Sequence, residues 1–230
     1  MPANSTTTYG AILPALNAAR FLTEVIGEIR ALHPDLRILV VDDGSTDGTA
    51  DTAEAAGAEV IIHKVNQGKG EALKSGYAWA ARENLDWVYT MDSDGQHLPA
   101  ELQGFQDAAA AGNLDVIIGT RMAATESMPW LRKKTNQFTS WVISRLAGTD
   151  IPDSQNGYRL YKVACFENLV LKTSRYDSES EVLVRLARRG FRIGSAPITT
   201  VYGDEVSAIN PFVDTGRFFK LVLMLMFSRD

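Results

Sequence analysis

Cysteine is nearly absent: Cys165 is the only one in 230 residues. A lone thiol excludes an intramolecular disulfide and a thiolate-rich zinc cluster, and it suits a reducing compartment. Long apolar runs are absent too. None reaches about 18 residues, so no transmembrane helix is expected. The nearest approach, Phe218 to Phe227, is interrupted by Lys220. The first eight residues are polar and lack an apolar stretch, so no secretory signal is expected. Positive charge is in deficit: 23 Lys and Arg face 28 Asp and Glu, a net charge of −5. That argues against non-specific nucleic-acid binding, which works by neutralising phosphates. Neither Gly-x-x-x-x-Gly-Lys-Ser/Thr nor Gly-x-Gly-x-x-Gly occurs. The first absence excludes a P-loop, and the second argues against a nicotinamide dehydrogenase.

What remains is ordinary for a folded protein. Apolar residues make up 45% and charged residues 22%, enough for a sizeable core and against wholesale disorder. The length suits one α/β domain, or one with a short appendage. Apolar, β-branched runs at 9–13, 37–42, 58–63, 87–91 and 115–119 alternate with Ala-, Leu- and Glu-rich stretches at 18–32, 49–56, 70–83 and 99–111. Continuous apolar runs are expected of strands buried on both faces. The alternation predicts an α/β fold with a mostly parallel, Rossmann-like sheet flanked by helices. Ligands bind beyond the carboxyl ends of such strands. After Gly119 the rhythm breaks into a basic, aromatic segment at 128–147 and a turn-rich stretch at 148–159. A helix is expected over 178–189 and a short strand over 192–198.

Two of the strand ends carry paired carboxylates. The second run ends Val40-Val41-Asp42-Asp43-Gly44-Ser45-Thr46-Asp47-Gly48-Thr49. Gly44 to Thr49 reads as a turn, with Asp47 placed to cap the next helix. A turn does not explain Asp42 and Asp43, because uncompensated buried charge is costly. Donors on a ligand, such as a base N–H or ribose hydroxyls, would compensate them. The fourth run ends Thr90-Met91-Asp92-Ser93-Asp94-Gly95-Gln96-His97. Asp92 and Asp94 share one side of an extended segment. With the amide oxygen of Gln96 they make a hard oxygen site suited to Mg²⁺ or Mn²⁺. The plainer reading is an Asp-rich turn, but its place at a strand end favours the site. Asn66-Gln67-Gly68-Lys69-Gly70 precedes a helix. Gly68 and Lys69 could approach a phosphate there, or the stretch could be a capped turn.

Together these stretches resemble the family-2 glycosyltransferases of the GT-A fold, and among them the dolichol-phosphate mannose synthase and polyprenyl-phosphate glycosyltransferase group. The resemblance runs from about Tyr9 to Ile198 and is carried by residues 41–49 and 91–97 in that order. It implies that Asp43 contacts the nucleotide base and that Pro14 and Asn17 form the first nucleotide-binding turn. It places the family's metal-binding aspartates on Asp92 and Asp94, joined by Gln96. Where many relatives carry an aromatic residue, this chain has Leu16. The basic residues Arg121, Arg132, Lys133, Lys134 and Arg159 follow the fifth run. Their plain reading is a solvated face. In prenyl-phosphate relatives matching arginines hold the acceptor phosphate. Arg121 and Arg159 are the preferred pair, because arginine offers a bidentate fork, with Arg132 beside them. Acids opening the 178–189 helix suit a helix N-terminus. In relatives an acid near here can act as general base, and Glu181 lines up best, Glu179 next.

The expected activity is an inverting, metal-dependent transfer of a hexose from a UDP- or GDP-sugar to a lipid phosphate. Asp94, Arg121, Arg159, Glu179 and Glu181 are its candidate catalytic residues, and Asp42, Asp43 and Asp92 line the donor site. A hydroxyl acceptor would need Glu179 or Glu181 as base. A sugar-nucleotide-binding protein without turnover is the non-enzymatic alternative, opposed by the intact Asp92 and Asp94. A nucleotidyltransferase would carry a Gly-rich basic loop where this chain has Pro14-Ala15-Leu16-Asn17. Residues 1–8 are expected to be a disordered tail and 9–205 the transferase domain, split into a nucleotide half (9–97) and an acceptor half (98–205). Residues 206–230 are expected to form an apolar helical segment. Within 216–230 the run is too short to span a bilayer. It is expected either to touch the cytoplasmic membrane face peripherally, or to dock on the protein's own core or another subunit.

Overall fold

The computed structural model describes residues 7–121, 130–199 and 211–228, without the side chains of 130–132 and 211–214. Seven strands form one sheet: β1 (Tyr9–Ala15), β2 (Arg37–Asp42), β3 (Glu59–Ile62), β4 (Trp87–Thr90), β5 (Val116–Thr120), β6 (Arg159–Lys162) and β7 (Ile193–Pro197). The helices are α1 (Ala19–Leu32), α2 (Thr49–Ala55), α3 (Lys69–Arg82), α4 (Leu102–Gly112), α5 (Trp130–Ala147), α6 (Asp177–Arg188) and α7 (Pro211–Phe227). The strand order is β3-β2-β1-β4-β6-β5-β7. Every pairing is parallel except those of β6, which is antiparallel to β4 and β5. The expected mostly parallel, helix-flanked sheet is therefore present.

Side chains alternate across the sheet and divide the core in two. Ile12, Leu39, Val41 and Val88 face α3, α5, α6 and α7. Ala11, Leu13, Ile38, Val40 and Tyr89 face α1, α2 and α4. In α1 the buried residues are Leu22, Val25, Ile26 and Ile29, one helical stripe. Each such aliphatic side chain contributes about 1.5–3 kcal/mol when fully buried. In α3 the backbone comes unusually close to β1: a Cβ on Gly76 would lie 2.5 Å from Ile12 Cγ2. Because α1 and α3 lie on opposite faces, the chain switches sides beside β1, and a crevice is expected beyond the ends of β1 and β4.

The sequence reading needs four corrections here. β3 is an edge strand with exposed Glu59 and Ile62, not one buried on both faces. β6 follows directly on the turn-rich stretch and was not expected; it is four residues long with basic residues at both ends, too short to show a period. The basic segment at 128–147 contains the long helix α5. Thr8 is not tail: its carbonyl accepts the amides of Asp86 and Trp87, and its own amide donates to Asp86 Oδ2 at 2.8 Å. Residues 1–6 of the expected tail, and 200–210 around the boundary expected at 205, lie outside the described residues. Among the described residues no helix is long and apolar enough to cross a membrane.

Candidate active site

Three strand ends are stitched together at the crevice. Asn17 has a left-handed backbone, φ 52°, which Asn tolerates better than most residues. Its amide donates to Ser45 Oγ at 2.8 Å, and its Oδ1 accepts Thr46 N–H at 2.9 Å. Asp47 accepts the amides of Ala19 and Thr49, so it caps the start of α1 as well as α2. Ser93 Oγ donates to the Pro14 carbonyl at 3.0 Å. The turns after β1, β2 and β4 are thereby fixed relative to one another, and each carries residues expected to bind the donor.

The carboxylates after β2 are compensated by the chain itself. Asp42 Oδ1 accepts Ser45 N–H at 2.9 Å. Asp43 Oδ1 accepts Gln67 N–H at 3.0 Å and lies 2.7 Å from His63 Nδ1, while its Oδ2 accepts Gly68 N–H at 2.7 Å. His63 Nε2 in turn reaches Ser75 Oγ at 2.9 Å. The expectation that donors on a ligand compensate these charges is corrected for Asp43: two amides and an imidazole of the chain already do so. The expectation for Gly68 changes with it, since its amide is committed to Asp43 rather than open to a phosphate. The glycines themselves are needed for packing. A Cβ on Gly68 would lie 2.5 Å from the Ser174 carbonyl, and one on Gly70 would overlap Ser178 Oγ.

After β4 the charges are concentrated. Lys69 Nζ donates to Asp92 Oδ1 at 2.6 Å and lies 3.2 Å from Glu179 Oε1. Gly157 closes this cluster: a Cβ there would come 2.9 Å from both Lys69 Nζ and Glu179 Oε1 and 3.2 Å from Asp92 Oδ1. Thr90 Oγ1 holds Gly157 in place through its carbonyl at 2.7 Å. Burial opposes ionisation of Asp92, but Lys69, His97 and Arg159 outweigh it and hold the carboxyl down at about 2. His97 Nδ1 accepts the Asp92 amide at 3.0 Å, so its proton sits on Nε2. Its pKa is lowered, by burial first, against the pull of Asp92 and Asp94. Asp94 Oδ1 accepts Gln96 N–H at 3.0 Å.

This donor set fits a hard divalent cation. It offers ionised carboxylate oxygens on one strand end, and a cation, the Lys69 ammonium, already rests on one of them. Among the described residues no three carboxylate, imidazole or thiolate side chains form a closed cage. Mg²⁺ normally takes only one or two carboxylates and completes its shell with water and substrate phosphate.

The basic and acidic residues expected around the acceptor fare differently. Arg121, just past the end of β5, forms a fork on Asp153, Nε to Oδ2 at 2.9 Å and Nη2 to Oδ1 at 3.0 Å, and is partly exposed. Arg159 is wholly buried. It donates to the carbonyls of Asn156, Ser154 and Glu179 and to Tyr161 Oη. A phosphate clamp built from Arg121 and Arg159 is corrected on that ground: the second guanidinium is spent on holding the 154–156 turn and the start of α6. The side chain of Arg132 lies outside the described residues. Glu181 is also corrected. It is fully buried and accepts the amides of Lys172 and Thr173, the Thr173 hydroxyl and Arg185 Nε. It pins a loop and does not face the cleft, whereas Glu179 does. Gly157, Asp153 and His63 carried no sequence signal, since each acts through a partner far along the chain.

Residues 11–170 match the family described as Glycosyl transferase family 2. The polyprenol monophosphomannose synthase of Mycolicibacterium smegmatis is 32% identical over 200 residues, 82% of this chain and 75% of that protein. The undecaprenyl-phosphate mannosyltransferase of Micrococcus luteus is 30% identical over 201 residues, 83% of this chain and 82% of that one. Among solved structures, glucosyl-3-phosphoglycerate synthase from Mycobacterium tuberculosis, in complex with Mn²⁺, uridine diphosphate and phosphoglyceric acid, matches with a TM-score of 0.72. Its identity is 21%, over 97% of this chain and 78% of that one, a likeness of fold. With a family match over most of its length, this chain belongs to glycosyl transferase family 2 and is a glycosyltransferase of the GT-A fold.

Proposed function

We propose that the chain transfers a hexose, with inversion, from a nucleoside diphosphate-sugar to a polyprenyl or related lipid phosphate. The observation that carries this reading is the Asp92–Lys69–Glu179 cluster beyond the end of β4, with the Arg121–Asp153 fork just past the end of β5. Asp92, Asp94 and Gln96 are the residues that would hold Mg²⁺ or Mn²⁺, which when bound supplies positive charge against the departing diphosphate. Lys69 adds a second positive charge at the same place, and the turn carrying Pro14 and Asn17 shapes the nucleotide pocket. The names of the two bacterial relatives support a lipid-phosphate acceptor, and the Mn²⁺ and uridine diphosphate in the mycobacterial complex support the donor class. The acceptor chemistry agrees. A phosphate monoester, with a second pKa of about 6, is already ionised near pH 7 and needs no base, and Glu181 is not free to be one.

The test is transfer from UDP-, GDP- and TDP-sugars, with Mn²⁺ or Mg²⁺, to a short-chain prenyl phosphate and to the matching prenol. Product is expected from the phosphate alone. Transfer to the prenol with the phosphate inert would replace this reading by a hydroxyl acceptor with Glu179 as base.

A further inference from the structure

Asp43 has little acceptor capacity left. The two oxygens of a carboxylate offer about four lone-pair positions. Oδ1 is filled twice, by His63 Nδ1 at 2.7 Å and the Gln67 amide at 3.0 Å, and Oδ2 once, by the Gly68 amide at 2.7 Å. The His63 tautomer follows from its partners. A carboxylate only accepts, so Nδ1 carries the hydrogen and Nε2 accepts the Ser75 hydroxyl at 2.9 Å. The ring is held in place from its backbone as well: His63 N–H donates to the Asp42 carbonyl at 2.8 Å, and the side chain is 9% exposed. One acceptor position therefore remains on Asp43, and it is on Oδ2. The surroundings are close. The 65–66 backbone lies so near the turn after β2 that a Cβ on Gly44 would come 2.7 Å from the Asn66 nitrogen, and Asp43 is 4% exposed.

We infer that His63, by occupying Oδ1 of Asp43, makes the base site select uracil or thymine over guanine, so that it is a specificity-determining residue of the donor site. The chemistry of the bases carries this. Uracil and thymine present a single imide N–H between two carbonyls, and one acceptor satisfies it. Guanine presents two adjacent donors, N1–H and the N2 amino group, which a carboxylate takes with both oxygens at once. Here the second oxygen is filled. Guanine would leave a donor buried without a partner, or would have to displace His63 or Gln67. A site that leaves a buried polar group unpaired discriminates strongly against that ligand. Adenine and cytosine carry an acceptor nitrogen in place of the imide N–H, and a carboxylate repels it. A pyrimidine also needs less room between backbone walls, which cannot turn aside as side chains do. The inference rests on the nucleoside diphosphate-sugar reading, with Asp43 as the base contact, and is independent of the acceptor.

The experiment is calorimetry of the full chain with UDP, TDP, GDP, CDP and ADP in the presence of Mn²⁺, then the same series on His63→Ala with thermal unfolding recorded beside it. UDP or TDP is expected to bind about tenfold or more tighter than GDP, CDP and ADP. The comparison of UDP with TDP, which differ in the 5-methyl and 2′-hydroxyl groups, separates the two imide bases. His63→Ala reopens a position on Oδ1, so the preference over GDP should shrink by about threefold or more. GDP bound as tightly as UDP and TDP by the wild type overturns the inference, and that ranking tests it even where the variant does not fold. A preference that a folded His63→Ala leaves unchanged overturns it too. The reading beneath it fails differently. If none of the five diphosphates binds, the donor class falls and the base selectivity with it. If GDP equals UDP and a GDP-hexose is a donor to prenyl phosphate, the proposed function stands and only the selectivity falls. If UDP or TDP is preferred but no prenyl phosphate accepts sugar, the base site stands and the acceptor reading fails.

Discussion

Asp43 Oδ1 lies 2.7 Å from His63 Nδ1, and the far side of that imidazole meets Ser75 Oγ at 2.9 Å. The pair ties the end of β2 to the end of β3 and to α3. With the Gln67 and Gly68 amides on the same carboxylate, Asp43 organises the whole 63–68 turn. Asp43→Ala should therefore do two things. It should lower the free energy of urea unfolding by roughly 2–3 kcal/mol, because two amides lose their acceptor. It should also weaken binding of the free nucleoside diphosphate, in metal-free buffer, more than His63→Ala does. Unchanged stability would remove Asp43 as the turn's anchor. Unchanged nucleotide affinity by calorimetry would end the proposed base contact.

Glu179 and Glu181 sit two residues apart on α6 and should give opposite phenotypes. Burial opposes the charge on Glu181, but Thr173, Lys172 and Arg185 outweigh it and lower its pKa. A lowered folded pKa means a stabilising contribution that is present above the ordinary carboxylate range and is lost as pH falls through it. Glu181→Gln should cost about 3 kcal/mol near neutrality and flatten the acid limb of stability between roughly pH 5 and 3. Glu179→Gln should leave stability within about 1 kcal/mol and reduce transfer instead. A stable but inactive Glu181→Gln enzyme would restore Glu181 to the cleft.

The division between these two acids shows where the sequence could be read. Asp92, Asp94, Asp42 and Asp43 were visible because they are polar residues at the ends of apolar runs, and a strand end marks them. Five parallel strands were visible for the same reason. Glu179 and Glu181 could not be ranked, because both suit the first turn of a helix, and the loop at 172–173 that claims one of them lies outside that helix. Arg159 misled because a buried arginine and a phosphate-binding arginine look alike in sequence. Only the three carbonyls around it reveal its task. β6 escaped because pairing with β4 and β5, not its own pattern, makes it a strand.

Lys69 and a divalent cation should compete for Asp92. In the free protein the ammonium holds Asp92 Oδ1, so Mn²⁺ should bind weakly until a diphosphate supplies further oxygens. Lys69→Met should raise the affinity of the nucleotide-free protein for Mn²⁺ by about tenfold, a gain of ~1.4 kcal/mol, yet lower donor turnover. Asp94→Asn should abolish turnover, and excess chelator should do the same to the wild type. Electron paramagnetic resonance of Mn²⁺ titrations reads the first effect, and donor hydrolysis the others. Mn²⁺ affinity unchanged in Lys69→Met, or full activity of Asp94→Asn in chelator, would sink the metal assignment.

Arg121 and Arg159 were paired by the sequence and are separated by the structure, and lysine at each position should expose the difference. At Arg121 the guanidinium holds the Asp153 carboxylate in bidentate contact and is partly exposed. Lysine keeps the charge and loses the planar fork. Arg121→Lys should therefore raise the KM for a prenyl phosphate by about tenfold, ~1.4 kcal/mol, with nucleotide affinity unchanged. At Arg159 lysine would replace a buried fork that serves three carbonyls and a phenol by a single ammonium with three donors. Buried carbonyls left without partners cost about 1–3 kcal/mol each, so Arg159→Lys should lose several kcal/mol of stability. Any loss of transfer should follow from the misplaced Glu179, whose carbonyl Arg159 holds. Denaturant unfolding and steady-state kinetics on both variants separate the cases. A fully stable Arg159→Lys with a raised acceptor KM would return Arg159 to the phosphate. Equal effects of Arg121→Lys on donor and acceptor would remove Arg121 from it.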